Sequence, residues 1–134
     1  MGMIVDTNVF IYFEKTNQGI DLSPWEQSES VFISAITASE LLIGVNRADS
    51  ERRRNRRSAF VEAVLAGVPV LEFAVATARI HAGIYSELAR AGRMVGAHDL
   101  IIAATARQYD LSVLTDNVDE FSRVDGLHVI RFAP

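Results

Sequence analysis

The strongest constraint on the fold of this chain is a regular alternation of short apolar runs with longer amphipathic stretches. Five short runs are predicted to be strands, over residues 3–5, 31–33, 68–71, 111–115 and 127–132. The stretches between them carry apolar residues at helical spacing. Strands that alternate with helices indicate an α/β fold, here a three-layer α/β/α sandwich around a mostly parallel central sheet. We expect one domain that spans residues 1–134.

The helices are predicted from apolar periodicity and from the residues that begin and end helices. The main predicted spans are residues 9–15, 35–45, 51–66, 74–91, 98–109 and 118–123. Gly67 and Gly92 are expected to end two of them, because glycine adopts the left-handed conformation that often follows a helix. The segment Ser23-Pro24-Trp25-Glu26 has the pattern of a capping box and predicts a further short helix.

The composition excludes several classes of protein. The chain has no cysteine, so it contains neither a disulfide framework nor a thiolate metal site. Its N-terminal residues lack the basic region of a signal peptide, and its apolar runs are shorter than a membrane span. We therefore expect a cytoplasmic protein that does not associate with a membrane.

The charges give two opposing indications about nucleic acid. The net charge is −4, whereas proteins that bind nucleic acid are usually basic. However, six arginines lie between positions 47 and 57, and arginine binds phosphate through two parallel hydrogen bonds. Arg53 and Arg57 in this run are candidate RNA contacts, and so is Arg93, in the loop before residue 99. A solvated helix face explains the arginine run slightly better on sequence grounds alone.

Four acidic residues from distant parts of the chain are expected to meet at one edge of the sheet. Asp6 and Asp116 directly follow predicted strands, so both lie at carboxyl ends. Glu40 lies early in the helix after the second strand. Asp99 opens the helix that precedes the strand at 111–115, and this helix runs antiparallel to that strand. In parallel sheets the carboxyl edge is where ligands bind, which makes the four acids a candidate site.

A cluster of four carboxylates indicates a particular chemistry. Like charges at short range raise each other's pKa values and require a counter-charge. Ligands that are all oxygen suit Mg²⁺ or Mn²⁺, and such ions activate water and bind phosphoryl oxygens. Each acid also has a structural explanation, since Asp6 and Glu40 can cap helices, Asp99 can favour a helix dipole and Asp116 can form a turn. A metal site explains why all four reach one edge.

The residues around these acids resemble the PIN-domain family, and within it the VapC toxins of bacterial toxin–antitoxin pairs. The matching segments follow the family order along nearly the whole chain: Ile4-Val5-Asp6-Thr7-Asn8-Val9, Ile36-Thr37-Ala38-Ser39-Glu40-Leu41, Ala97-His98-Asp99-Leu100-Ile101-Ile102-Ala103-Ala104 and Leu114-Thr115-Asp116-Asn117 with Phe121. The resemblance implies a PIN-like fold. It also implies that the catalytic, metal-binding acids are Asp6, Glu40, Asp99 and Asp116.

Three further residues receive supporting roles from the same resemblance. Asn8 matches a polar residue beside the first acid, and Thr115 matches a family hydroxyl that supports the site. The fourth acid varies in position within the family, so Asp119 is the alternative to Asp116 and is otherwise expected to support the site from a short helix.

The resemblance also implies a function. It indicates an endoribonuclease that depends on Mg²⁺ or Mn²⁺, hydrolyses phosphodiester bonds of tRNA or rRNA, and leaves a 5′-phosphate and a 3′-hydroxyl. It further implies a homodimer and a VapB-like antitoxin that silences the enzyme.

Other functions compete with this one. Phosphatases with an aspartyl nucleophile also place an acid after the first strand, but they need a second Asp where this chain has Asn8. They and phosphoacceptor receiver domains need a lysine in a late loop, whereas Lys15 is the only lysine. A catalytically silent PIN-like module that binds RNA or a partner is the remaining alternative. Retention of all four acids argues against it, and a cleavage assay decides.

Overall fold

The computed structural model describes residues 2–25 and 30–134, and within them the chain forms five strands and six helices. The strands are β1 (Met3–Val5), β2 (Val31–Ser34), β3 (Val70–Leu71), β4 (Ser112–Thr115) and β5 (Val129–Arg131). The helices are α1 (Thr7–Thr16), α2 (Ala35–Asn46), α3 (Glu51–Gly67), α4 (Val75–Ala91), α5 (Ala97–Tyr109) and α6 (Val118–Phe121). None of the described helices is long and apolar enough to span a membrane.

The strands form one sheet in the order β3-β2-β1-β4-β5, and every neighbouring pair is parallel. The predicted α/β fold is confirmed, and the parallel arrangement is complete among the described strands. After the central strand β1, the chain forms β2 and β3 on one side of it, and then crosses to form β4 and β5 on the other side. This reversal of strand order opens a crevice at the carboxyl ends of β1 and β4, the usual place for a ligand in such sheets.

Helices cover both faces of the sheet, which explains why its strands are apolar on both sides. Ile4 of β1 and Val113 of β4 point into a core shared with α4 and α5. Val5 and Leu114, the next residues along each strand, point into the opposite core with α1 and α3. These four side chains are fully buried, so the two strands that lead into the crevice are held firmly from both sides.

Two helix ends differ from their prediction for identifiable reasons. α1 begins at Thr7, because the Asp6 side chain accepts a hydrogen bond from the Thr7 backbone and caps the helix. α3 extends through Gly67, and Val68, which follows the helix, is extended. Proline at position 69 explains this, because a residue that precedes proline is driven away from helical geometry.

Two other predicted helix boundaries have different outcomes. Gly92, with φ 64°, ends α4 as predicted. The short helix predicted from Ser23 begins as a turn, and its remainder falls at residues 26–29, outside the described residues.

Candidate active site

The structure brings the four predicted acids to the carboxyl edge of the sheet. Asp6 follows β1, Glu40 lies in α2, Asp99 lies in the first turn of α5, and Asp116 follows β4. Their proximity affects the ionisation of Asp6 and Asp99. The charges of Glu40 and Asp116 act on Asp6, and the charge of Asp6 acts on Asp99. The predicted convergence of distant acids is therefore a property of the fold.

Asp6 is the buried centre of this site, with 4% of its surface exposed. Its Oδ1 accepts from the Thr7 backbone N–H at 2.7 Å. Its Oδ2 accepts from Asn8 Nδ2 at 2.9 Å and from Thr115 Oγ1 at 2.7 Å. Burial raises the pKa of Asp6 despite the hydrogen bonds from Thr115 and Thr7, and the charge of Glu40 adds to the rise. The carboxylate is thus fixed in place by Asn8 and Thr115, the two residues predicted to support it.

Glu40 is held through both of its carboxylate oxygens. Oε1 accepts a hydrogen bond from Thr7 Oγ1 at 2.7 Å, and Oε2 lies 3.2 Å from His98 Nδ1. Thr7 Oγ1 also lies 3.0 Å from Thr37 Oγ1. Sequence reasoning did not assign these contacts. A signal existed for Thr37, because it lies three residues before Glu40 and so shares a helix face with it, whereas the contact with His98 joins two helices.

Asp99 forms a polar group with two residues from the segment after β4. Asn117 Nδ2 donates to Asp99 Oδ2 at 3.0 Å and to Glu120 Oε2 at 2.5 Å. Partial burial, a hydrogen bond with Glu120 and the charge of Asp6 raise the pKa of Asp99 to about 7. The Gly96 backbone N–H donates to Glu120 and lowers the pKa of that carboxyl. Of these two neighbouring carboxyls, Asp99 is therefore the one that holds a proton more readily.

The two candidates for the fourth acid occupy different environments. Asp116 is exposed at the end of β4; its backbone N lies 3.5 Å from Asn8 Oδ1, and its charge raises the pKa of Asp6. Asp119 is exposed on α6, and Glu120 rather than Asp119 contacts Asp99. Because α6 begins directly after Asn117, Glu120, which is three residues further on, lies on the same helix face as Asn117. The structure thus replaces Asp119 with Glu120 as the acid of α6 beside the cluster.

This placement predicts different effects for two neighbouring acids. On the nuclease function that the resemblance implies, we expect Glu120→Gln to lower RNA cleavage about 10–100-fold, since it removes the charge of the carboxyl that hydrogen-bonds Asp99. The matched variant Asp119→Asn should stay within about twofold of the wild type, because exposed substitutions away from such contacts have small effects. Initial rates of RNA cleavage at saturating Mn²⁺ measure the difference. A larger loss in Asp119→Asn than in Glu120→Gln would reverse the assignment.

The donor set fits a hard divalent cation. The cluster offers only oxygen ligands, which Mg²⁺ and Mn²⁺ prefer. Its buried and half-buried carboxyls, Asp6 and Asp99, have raised pKa values, so a positive charge among them would relieve repulsion. Within the described part of the chain, no three His, Cys, Asp or Glu side chains already surround a common point.

The three arginines proposed from the sequence lie in different places. Arg57 lines a groove between α1, α2 and α3 that reaches Glu40, but its Nη1 donates to the Gly44 carbonyl at 2.8 Å. Arg53 is exposed on α3 and pairs with Asp49. Arg93 is exposed after α4 and lines a separate small concavity. None of the three forms a hydrogen bond or ion pair with the four acids among the described contacts.

Comparison with known proteins gives a consistent result. The sequence pattern of the PIN domain family matches residues 3–127. Ribonuclease VapC1 of Rickettsia felis is 36% identical over 97% of this chain and 96% of its own length. The tRNA(fMet)-specific endonuclease VapC of Shigella flexneri is 34% identical over 95% of both chains.

A solved structure of DNA-bound VapBC from Salmonella typhimurium aligns with a TM-score of 0.87 and 29% identity over 99% of each chain. The family pattern covers both strands and all four acids of the crevice. The chain therefore belongs to the PIN-domain family and, within it, to the VapC group.

Proposed function

We propose that this protein is a divalent-metal-dependent endoribonuclease and the toxin of a VapBC-type toxin–antitoxin pair. The observation that carries the proposal is the buried Asp6 carboxylate, which three donors fix at the point where Glu40, Asp99 and Asp116 converge. Relatives of similar length carry the name ribonuclease, which supports the same reaction. We place its action in the cytoplasm, where tRNA and ribosomes are found.

The residues of the site have two roles in the proposed reaction. Asp6, Glu40, Asp99 and Asp116 are the proposed ligands. A divalent ion held there would acidify a bound water and neutralise the charge that develops on the phosphate. Thr115, Asn8 and Thr7 keep Asp6 and Glu40 in fixed positions. Such fixed positions are valuable because small displacements of reacting groups reduce rates strongly.

The direct test is cleavage of natural RNA by the purified protein. Total tRNA and rRNA are incubated with Mg²⁺, Mn²⁺ or EDTA, and the ends of the products are mapped. We expect discrete cleavage, 5′-phosphate and 3′-hydroxyl ends, and no reaction in EDTA. tRNA is the preferred first substrate, because one relative is named a tRNA(fMet)-specific endonuclease. Intact RNA with both metals would contradict the proposal and favour a silent binding module.

Binding of the ion is measurable without any reaction. We expect millimolar Mn²⁺ to raise the melting temperature, because a ligand that binds only the folded state stabilises it. Asp6→Asn should lose most of this increase. An equal increase in both proteins would place the bound ion elsewhere.

We also propose a VapB-like antitoxin as partner, as in the VapBC complexes that share this fold. A cluster of acids at an exposed sheet edge attracts a basic side chain, so an antitoxin can occupy the site through a guanidinium. Co-expression with the gene immediately upstream should restore growth, and the two proteins should purify together. Growth arrest that persists without a bound partner would contradict the toxin assignment and leave the nuclease assignment standing.

A homodimer is the proposed assembly. Phe73, Val75 and Tyr85 expose apolar surface on and before α4, and such side chains often mark interfaces. Sedimentation velocity of the purified toxin measures the oligomeric state.

A further inference from the structure

We propose that α3 carries a second RNA-contact site, the arginine surface formed by Arg52, Arg53 and Arg56. This surface would bind the sugar–phosphate backbone of the substrate away from the bond that is cut. The inference rests on the proposed ribonuclease function and assigns part of the substrate to a region outside the acid cluster.

The arginine run of α3 separates into two groups. Arg54 Nη2 donates to the Ala48 carbonyl at 3.0 Å, and Arg57 Nη1 donates to the Gly44 carbonyl at 2.8 Å. These two side chains tie α3 to α2 and to the loop between them, so the Arg57 guanidinium, a predicted RNA contact, also has a structural role. Arg52, Arg53 and Arg56 are exposed. They share one helix face, because they are spaced three and four residues from Arg56.

The arginine surface forms one wall of a concavity. Arg52, Arg53 and Arg56 line a space of about 490 Å³ together with Asn17 and Ser50. Arg53 pairs with Asp49 at 2.9 Å, but both side chains are more than half exposed, at 63% and 71%. Such a pair is weak in water, so the Arg53 guanidinium remains available to an anion. Guanidinium groups bind phosphate bidentately, which makes a phosphate backbone the matching ligand.

Glu14 links the arginine surface to a groove that includes Glu40 of the proposed active site. Glu14 Oε1 lies 3.7 Å from Arg56 Nη2 and 3.5 Å from Arg57 Nε. Arg57 and Glu14 also line the groove of about 250 Å³ between α1, α2 and α3, and Glu40 is part of the same lining. Lys15 adds a second cation to the same groove. A strand that enters the acid cluster can therefore continue along the groove to the arginine surface.

Electrostatics favours RNA as the occupant. The protein has a net charge of −4 and presents acids at its proposed catalytic edge, so a polyanion is repelled there in the absence of a cation. Local cationic surfaces then supply the attraction that brings the substrate in. The arginine surface supplies this attraction beside a groove whose lining includes Glu40. An acidic protein partner would not need the continuity with the cluster.

The test measures RNA binding in EDTA, so it does not depend on cleavage. Fluorescence anisotropy compares wild type, R52Q/R56Q and R79Q/R90Q on a labelled 20-nucleotide single-stranded RNA and on total tRNA at several salt concentrations. Arg79 and Arg90 are exposed on α4, so the second variant has the same change of net charge. Glutamine has a helix propensity close to that of arginine, which preserves α3.

We expect R52Q/R56Q to bind both RNAs about 5- to 25-fold more weakly at 0.1 M salt. The slope of the logarithm of its binding constant against the logarithm of the salt concentration should be shallower by about 1.4. R79Q/R90Q should match the wild type. If R52Q/R56Q melts at a lower temperature, R52K/R56K separates charge from stability. This variant retains the charges and should keep most of the affinity.

Three results would overturn the inference. In the first, the wild-type protein binds neither RNA. In the second, R52Q/R56Q binds RNA as tightly as the wild type does. In the third, duplex DNA binds as tightly as RNA, and the variant loses DNA binding to the same extent. The last result would assign the surface to DNA. A protein that loses RNA binding in R52Q/R56Q but never cleaves RNA would support the contact site and contradict the proposed catalysis. The two proposals therefore fail separately.

Discussion

Asp6→Asn should lower the rate of RNA cleavage by at least about 1,000-fold, because loss of a charged metal ligand removes several kcal/mol of transition-state stabilisation. The fold should survive. An amide oxygen at this position can still accept from the Thr7 backbone and cap α1, and the Thr115 hydroxyl can rotate to accept from the new amide group. The cost of burying a charge also disappears.

Cleavage of total tRNA and a thermal melt of the same preparation separate the effect on chemistry from the effect on folding. Asp125→Asn is the matched control, because Asp125 is exposed and lies outside the acid cluster. A folded Asp6→Asn protein that cleaves at the wild-type rate would refute the assignment of Asp6 as the central ligand.

Asp99→Asn should reduce cleavage by at least about 100-fold and at the same time stabilise the metal-free protein at pH 8. The pKa of Asp99 is about 7 in the folded protein and 3.8 for the free side chain. Between these values the folded state retains a proton that the unfolded state has released. This group therefore makes the protein less stable as pH rises from about 4 to 7, and the loss remains above pH 7. Asparagine carries no charge and resembles the protonated acid beside Glu120.

Thermal melts in EDTA at pH 5 and pH 8 measure this effect. We expect Asp99→Asn to melt about 2–5 °C above the wild type at pH 8 and much closer to it at pH 5, with the shift reduced by the partial exposure of the group. Asp119→Asn is the control on the neighbouring element. The same difference at both pH values would contradict the raised pKa. Saturating Mn²⁺ should favour the wild type, because it stabilises only the protein that binds it.

The positions of the acids could be predicted because each follows from the end of an element. Asp6 and Asp116 terminate strands, and in a parallel sheet all strand ends point the same way. Asp99 lies in the first turn of α5 and Glu40 in the second turn of α2, and the alternation of elements places both helix starts at the same edge. These inferences need only the order of strands and helices, and apolar periodicity reveals that order well.

Details that depend on a single residue could not be predicted. Glu120 rather than Asp119 contacts Asp99 because α6 begins directly after Asn117, and the start of a short helix is uncertain by one or two residues. Arg57 faces inward and Arg56 outward because of how α3 packs against α2, a geometry that helical periodicity alone does not specify. The contact of His98 with Glu40 likewise joins two helices whose relative position depends on the whole core.

The central strand has a consequence for how the protein is made. β1 pairs with β4 through Met3 and Ser112, so the first strand can form this pairing only after residues far along the chain have been made. Thr115, whose hydroxyl donates to Asp6, is also made late. A ribosome adds about 5–20 residues per second, so several seconds separate synthesis of Asp6 from that of Thr115. During translation the unfinished chain cannot assemble its proposed catalytic edge, so this edge forms only after nearly the whole chain has been made.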